Sequence, residues 1–224
     1  SAVLALSMVS SIASSSWADT GSGEDQYGSD FKLLLNTSEA DNTGSWSLNY
    51  GQDISFDVSG TGITSGAVKS YYYVASGEDK LAAFTTDTTL KCGTYNLSYT
   101  VDDTTGSTNE YYDSTGNQTY TLTVKQATLM TPSDAIWTNG SAASWSAVTK
   151  TTDSADIDAG TELSYSVKLY KDGVEADTET TTSTTFDFTD KIITLGKGAY
   201  TFTVSATPTT NTDLYLGSGS SAAS

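Results

Sequence analysis

Apolar and small polar side chains alternate strictly along two stretches of this chain. Tyr95, Leu97, Tyr99 and Val101 are separated by Asn96, Ser98 and Thr100, and Tyr200, Phe202, Val204 and Ala206 by Thr201, Thr203 and Ser205. A period of two sends successive side chains to opposite faces of a strand, so each stretch predicts a core strand with one face buried and one face wet. Both are entered in the same way, by Leu, two residues, Gly, a small residue and Tyr: Leu90-Lys91-Cys92-Gly93-Thr94-Tyr95 and Leu195-Gly196-Lys197-Gly198-Ala199-Tyr200. Two such copies, about one small domain apart, predict two consecutive β domains of similar build.

The same pattern places further strands between short turns rich in Gly, Asp, Asn, Ser and Thr. In the first unit they are expected at Phe31 to Leu35, Ser45 to Tyr50, Ile54 to Val58, Val68 to Ala75, Leu81 to Thr85, Tyr95 to Val101 and Tyr120 to Val124. In the second they are expected at Ala143 to Val148, Leu163 to Tyr170, Thr185 to Phe188, Ala199 to Ala206 and Leu214 to Leu216. Asp172-Gly173, following the alternating run Leu163 to Leu169, is a hairpin signal. Strand counts and spacings of this kind suit sandwiches. The fold class expected from the pattern is all-β, two tandem β-sandwiches, with domains at 31–126 and 127–221 and a tail at 222–224.

Composition narrows the setting. The chain has 224 residues, no His, one Cys, two Pro and a formal charge of −17, from 27 acidic and 10 basic residues. An acidic surface without a Lys/Arg cluster repels phosphate backbones, so no nucleic-acid partner is expected. Residues Ala2 to Ala13 form an uncharged apolar run too short to span a bilayer, followed by Ser16-Trp17-Ala18 and a polar stretch. This reads as the end of a signal peptide over 1–18 with cleavage after Ala18, followed by a flexible leader over 19–30. A buried apolar strand or helix is the other reading of the run. No integral membrane span is expected in the mature chain, which places it as secreted or at the cell surface.

Two resemblances rest on particular residues. Asn49-Tyr50-Gly51-Gln52-Asp53-Ile54-Ser55-Phe56, Leu90 to Tyr99, Asp102-Asp103 and Tyr120-Thr121-Leu122-Thr123-Val124-Lys125-Gln126-Ala127 resemble bacterial immunoglobulin-like repeats over about Tyr50 to Ala127. Ala143-Ser144-Trp145-Ser146-Ala147-Val148, Tyr165 to Tyr170 and Ala199 to Ala206 resemble fibronectin type III domains of bacterial surface proteins, from Thr128 to about Ser221. The second resemblance implies that Trp145 packs on Tyr165 in the core. It also implies that the Tyr200 hydroxyl bonds back to the chain just upstream, as in a tyrosine corner.

Chemistry is sparse. Without His, Ser-His and Cys-His pairs and imidazole metal sites are excluded within this chain. Cys92, between Lys91 and Gly93 at a strand entrance, reads as a packed, inert thiol. The acids cluster on turns, whereas glycoside hydrolysis needs carboxylates facing across a cleft, so no catalytic residues and no enzyme activity are expected. The densest cluster, Asp153, Asp156, Asp158 and Glu162, sets oxygen ligands at alternate positions around Gly160 and is a candidate Ca²⁺ site; a solvated turn is the competing reading. Asp102, Asp103, Glu110 and Asp113 form a weaker second candidate, and no other cofactor is expected.

Among Tyr71, Tyr72 and Tyr73, alternation puts Tyr72 on the face opposite the other two, so one face cannot bury all three. Tyr72 and, by the same argument, Tyr112 are candidate ligand contacts for a sugar ring or a protein surface, or else cover a sheet edge. Asn36, Asn96, Asn117 and Asn139 begin Asn-x-Ser/Thr triplets that matter only in a glycosylating host. The function expected is a non-catalytic extracellular spacer or adhesion module, with a protein or glycan ligand at a cell surface. The rivals are a carbohydrate-binding accessory module of a larger secreted enzyme and a small enzyme in its own right.

Overall fold

The computed structural model describes residues 31–60, 63, 66–103, 110–113 and 120–224. The expected signal-peptide remnant and leader, Ala2 to Ala18 among them, lie outside the described residues, as does the Asn117 triplet. The chain divides into two compact units: Asp53–Lys125 with the chain up to Leu48, and Asn49–Gln52 with Gln126–Ser224.

In the first unit the strands are β1 (Lys32–Leu35), β2 (Ser38–Glu39), β3 (Ser45–Asn49), β4 (Phe56–Ser59), β5 (Val68–Ala75), β6 (Ala82–Ala83), β7 (Gly93–Asp103), β8 (Glu110–Asp113) and β9 (Tyr120–Lys125). They form two sheets, ordered β2-β1-β4 and β3-β9-β7-β5-β6, with β8 pairing the far end of β7. The alternating strand is central: β5 runs antiparallel along one side of β7, with Tyr71 opposite Tyr99 and Ala75 opposite Tyr95, and β9 pairs the other side. Tyr95, Leu97, Tyr99 and Val101 are all buried, and Leu122 and Val124 of β9 join them. Leu33, Leu35 and Val58 are the buried residues of the smaller sheet. Tyr120 links the two sheets, because its hydroxyl accepts the Leu33 N–H at 3.2 Å while its ring stacks on Trp46 at 5.6 Å.

The second unit contains β10 (Ala127–Thr128), β11 (Ile136–Trp137), β12 (Ala142–Ser144), β13 (Leu163–Lys171), β14 (Val174–Thr181), β15 (Thr185–Asp187), the short helix α1 (Thr189–Leu195), β16 (Tyr200–Pro208) and β17 (Tyr215–Leu216). Its sheets are β14-β13-β16, β11-β12-β15 and a parallel pair, β10-β17. Every second residue from Tyr165 to Leu169 and from Phe202 to Ala206 is buried, which is the expected inward face of the central strand β13 and its neighbour β16. Trp145 lies over Tyr165 with ring centroids 5.5 Å apart, both buried, as the resemblance implied. Asp172 and Gly173 both have positive φ, 50° and 83°, which fits the two-residue turn that matches strand twist in the β13-β14 hairpin. Among the described residues, no helix is long and apolar enough to cross a membrane.

Three differences from the sequence expectation have physical causes. The strand expected over Ala143 to Val148 stops at Ser144, because Trp145 and Ser146 turn their N–H groups to the carbonyls of Thr184 and Ser133. The strand expected to reach Phe188 stops at Asp187, whose carboxylate accepts the Thr189 N–H and hydroxyl and turns the chain just ahead of α1. The hairpin signal at Asp172-Gly173 implied a return strand, but β14 was not placed among the expected strands, since Val-Glu-Ala-Asp-Thr-Glu-Thr-Thr shows no apolar alternation. It is a sheet edge, where acidic side chains both face water and discourage pairing with another chain.

Candidate functional site

The acidic loop that is a candidate calcium site runs between β12 and β13. Its shape is set by backbone bonds: Thr151 N–H to Ala155 carbonyl, Ser154 N–H to Thr151 carbonyl and Thr161 N–H to Asp158 carbonyl. Ser154 and Gly160 take positive φ at the tightest points. Within this frame the three aspartates each have a separate partner. Asp153 accepts from the Asn49 side-chain amide at 2.7 Å, Asp156 pairs with Lys150 at 2.7 Å, and Asp158 accepts from the Tyr50 hydroxyl at 2.7 Å. Glu162 is engaged through its backbone, its N–H donating to the Thr210 hydroxyl at 2.8 Å.

Asp158 sits at the centre of an aromatic arrangement that sequence reasoning missed. Its N–H donates to the Tyr215 hydroxyl at 2.9 Å, and the Tyr50 and Tyr215 rings meet edge to face at 5.6 Å. Both tyrosines are buried. Tyr50-Gly51-Gln52 was legible only as part of the immunoglobulin-like resemblance, and the partner of Tyr50 lies 108 positions away in the chain. The acids are therefore drawn to neighbouring donors rather than toward a common point. Among the described residues, no three His, Cys, Asp or Glu side chains form a group that could hold a metal ion.

The second candidate surface is the β5 tyrosine run. Tyr71 and Tyr73 turn toward an aromatic cluster: Tyr71 lies 5.7 Å from Phe56, and Tyr73 lies 5.9 Å from Tyr95 and 6.2 Å from Phe84. Partial burial, with Asp57 nearby, pushes the Tyr71 phenol up to about 12. Asp57 itself is held below the usual carboxylate range by the hydrogen bond from Lys69 at 2.6 Å. Tyr72, in register with Ser98 on β7 and Ala83 on β6, is half-buried on the opposite face, as alternation requires. Tyr112 lies in β8 opposite Val101. Its side chain lies outside the described part of the structure, as do those of Asp103, Glu110 and Asp113 from the weaker acidic candidate.

The repeated Gly-x-Tyr entrances prove to be a matched pair. The Tyr95 hydroxyl donates to the Lys91 carbonyl at 2.7 Å, and the Tyr200 hydroxyl donates to the Gly196 carbonyl at 2.6 Å. Both bonds reach back four residues. Asn36 and Asn139 close turns with their amide groups, Asn36 bonding Ser55 N–H and Asp53 carbonyl, and Asn139 the Ala142 N–H.

No family model matches the chain, and no curated protein matches it. Among the solved structures that match, the crystal structure of domains A168–A170 from titin is similar over 87% of this chain and 65% of that one, at 12% identity and a TM-score of 0.24. The class of protein is set by the fold. The described residues are nearly all β, in several sheets that are antiparallel apart from the β10-β17 pair, the architecture of β-sandwiches.

Proposed function

We propose that this chain is a non-catalytic module that works outside the cell, secreted or displayed on its surface, as a spacer or adhesion protein. The observation that carries this reading is how its polar groups are used. The carboxylates of Asp153, Asp156 and Asp158 in the 153–162 loop are tied one by one to Asn49, Lys150 and Tyr50. That arrangement stabilises a loop, whereas acid–base chemistry needs two groups converging on one substrate atom. Sandwiches of this type recur in cell-surface proteins as scaffolds that carry binding on exposed loops and faces. The −17 charge supports the same reading, since it keeps such a module soluble and apart from other anionic surfaces.

Surface proteolysis of intact source cells, followed by detection in the medium and in the cell fractions, tests the location. Recovery only from protease-protected cytosol would end the proposal. Tyr72, half-buried on the outward face of β5, favours one alternative, a carbohydrate-binding accessory module. A glycan array separates the two: binding by the wild type that disappears in Tyr72→Ala selects the carbohydrate reading, and silence from both proteins removes it.

A further inference from the structure

The β14-β13-β16 sheet ends in two edges, and the chain treats them differently. Along β16, residues 217–224 pair the side that faces away from β13. Ser218 donates its N–H to the Ala206 carbonyl at 2.8 Å and accepts the Ala206 N–H on its own Oγ at 2.8 Å. Ser221 repeats the arrangement on Val204, at 2.8 Å and 3.0 Å, and Ser224 exchanges two backbone bonds with Phe202, at 3.1 Å and 3.2 Å. At the other end β14 pairs only with β13, and among the described residues no hydrogen bond joins the backbone of Val174–Thr181 to any other element. Alternate N–H and carbonyl groups of an edge strand point away from its neighbour, so β14 leaves a row of donors and acceptors to water.

The inner side of this open strand is charged. Asp177 stands opposite Leu169 and Glu179 opposite Val167, and directly opposed residues share a face. Leu169 and Val167 are fully buried, so both carboxylates lie on the inward side of the sheet, where an edge strand ordinarily brings apolar groups. With Asp187, Asp190, Lys191 and Thr194 they bound a cleft of about 300 Å³. Its apolar wall is the Phe186 and Phe188 ring pair, with centroids 4.7 Å apart. Lys191 meets Asp177 at 2.9 Å, and Asp187 is engaged by Thr189. Among the described residues, the carboxylates of Glu179 and Asp190 have no ion-pair or hydrogen-bond partner. Four carboxylates against one ammonium leave three negative charges uncompensated.

This lining selects its occupant. Among the described residues, no three His, Cys, Asp or Glu side chains converge closely enough to hold a metal ion, and a bare ion gains nothing from an aromatic wall. A lysine or arginine side chain uses both features, with its apolar stem against Phe186 and its cation among the carboxylates. The acids that repel a second copy of this −17 chain attract a basic one. We propose that β14 is a docking edge for an extended basic segment of a partner protein. The main chain of that segment adds a fourth strand to the β14-β13-β16 sheet, and one of its Lys or Arg side chains enters the cleft beside Glu179 and Asp190.

Titration of the intact chain, followed by amide NMR, tests this with three end-blocked peptides matched to the 8 residues of β14. One alternates Lys and Thr, the second has Glu in place of Lys, and the third keeps every Lys but has all its backbone nitrogens methylated. The first should bind saturably and shift amides of β14 and β15. The Glu peptide should not bind, and the methylated peptide should bind at least about tenfold more weakly, since it cannot donate main-chain bonds. Glu179→Gln combined with Asp190→Asn should weaken the Lys peptide about tenfold. Glu78→Gln combined with Asp79→Asn removes the same charge from an exposed stretch after β5 and should leave the affinity unchanged. No saturable shift, shifts confined to other strands, equal losses in the two double variants, or undiminished binding of the methylated peptide would overturn the proposal.

Discussion

The Tyr200 hydroxyl donates to the Gly196 carbonyl at 2.6 Å, closing the connection between α1 and β16. Tyr95 makes the equivalent bond to Lys91 at the entrance to β7. Each ring lies at the start of an alternating strand, so the bond fixes where the alternating run begins and which residues face inward. Removing only the hydroxyl, in Tyr95→Phe or Tyr200→Phe, should cost about 1 kcal/mol in the unit that carries it. Urea unfolding should show a lower midpoint with an unchanged slope, because the same surface is exposed. A midpoint equal to that of the wild type would mean that the bond does not stabilise the strand entrance.

Trp145 and Tyr165 form an aromatic pair bridging two segments of the second unit. Trp145 is 4% exposed, and the Tyr165 hydroxyl accepts the Val148 N–H at 3.2 Å. Trp145→Ala should therefore destabilise that unit by about 3–5 kcal/mol through lost burial and the cavity left behind. Tyr165→Phe, which keeps the ring, should cost about 1–3 kcal/mol by leaving a buried N–H without its acceptor. Thermal unfolding ranks the two variants, and a larger loss for Tyr165→Phe would contradict this account.

Alkaline stability should depend on Tyr71. Its phenol is raised from 10.0 to about 12 by burial first and Asp57 second. The folded chain then holds this proton more tightly than the unfolded chain, so the stabilisation is fully present below pH 10 and is lost as pH rises toward about 12. Tyr95, raised chiefly by burial, acts in the same direction. Tyr71→Phe should weaken the fall in stability over that range, measured as the unfolding midpoint against pH. An identical alkaline profile in the variant would exclude Tyr71 as a contributor.

Calcium should leave the protein unchanged. Asp153, Asp156 and Asp158 already accept from Asn49, Lys150 and Tyr50, and a bound ion would have to displace those donors. Millimolar calcium is expected to move the melting temperature by less than about one degree, since a ligand stabilises only to the extent that it binds the folded state. A rise of several degrees, reversed by a chelator and absent in Asp158→Asn, would establish a site in the loop.

What the sequence disclosed follows from the range over which each signal acts. Alternation is local, so Tyr95 to Val101 and Tyr200 to Ala206 could be read as core strands, and Asp172-Gly173 could be read as a turn from two residues alone. β14 was hidden because an edge strand with water on one flank needs no apolar rhythm, and α1 because seven residues are too few to show a helical period. The acidic loop was read as a cluster because its residues are close in sequence. Their directions depend on Asn49, Tyr50 and Tyr215, which only the folded chain brings near. Trp145 and Tyr165 could be paired in advance only through resemblance, for the same reason.

The serine spacing along β16 makes the 217–224 segment a ruler. Changing one of its side chains would disturb one rung, at Ala206 or at Val204, and leave the others in step. Inserting or deleting a single residue between Ser218 and Ser224 would carry every later hydroxyl past its mate at once. The segment is thus tolerant of spelling errors and intolerant of frame errors, so length variation there should be far more damaging than substitution.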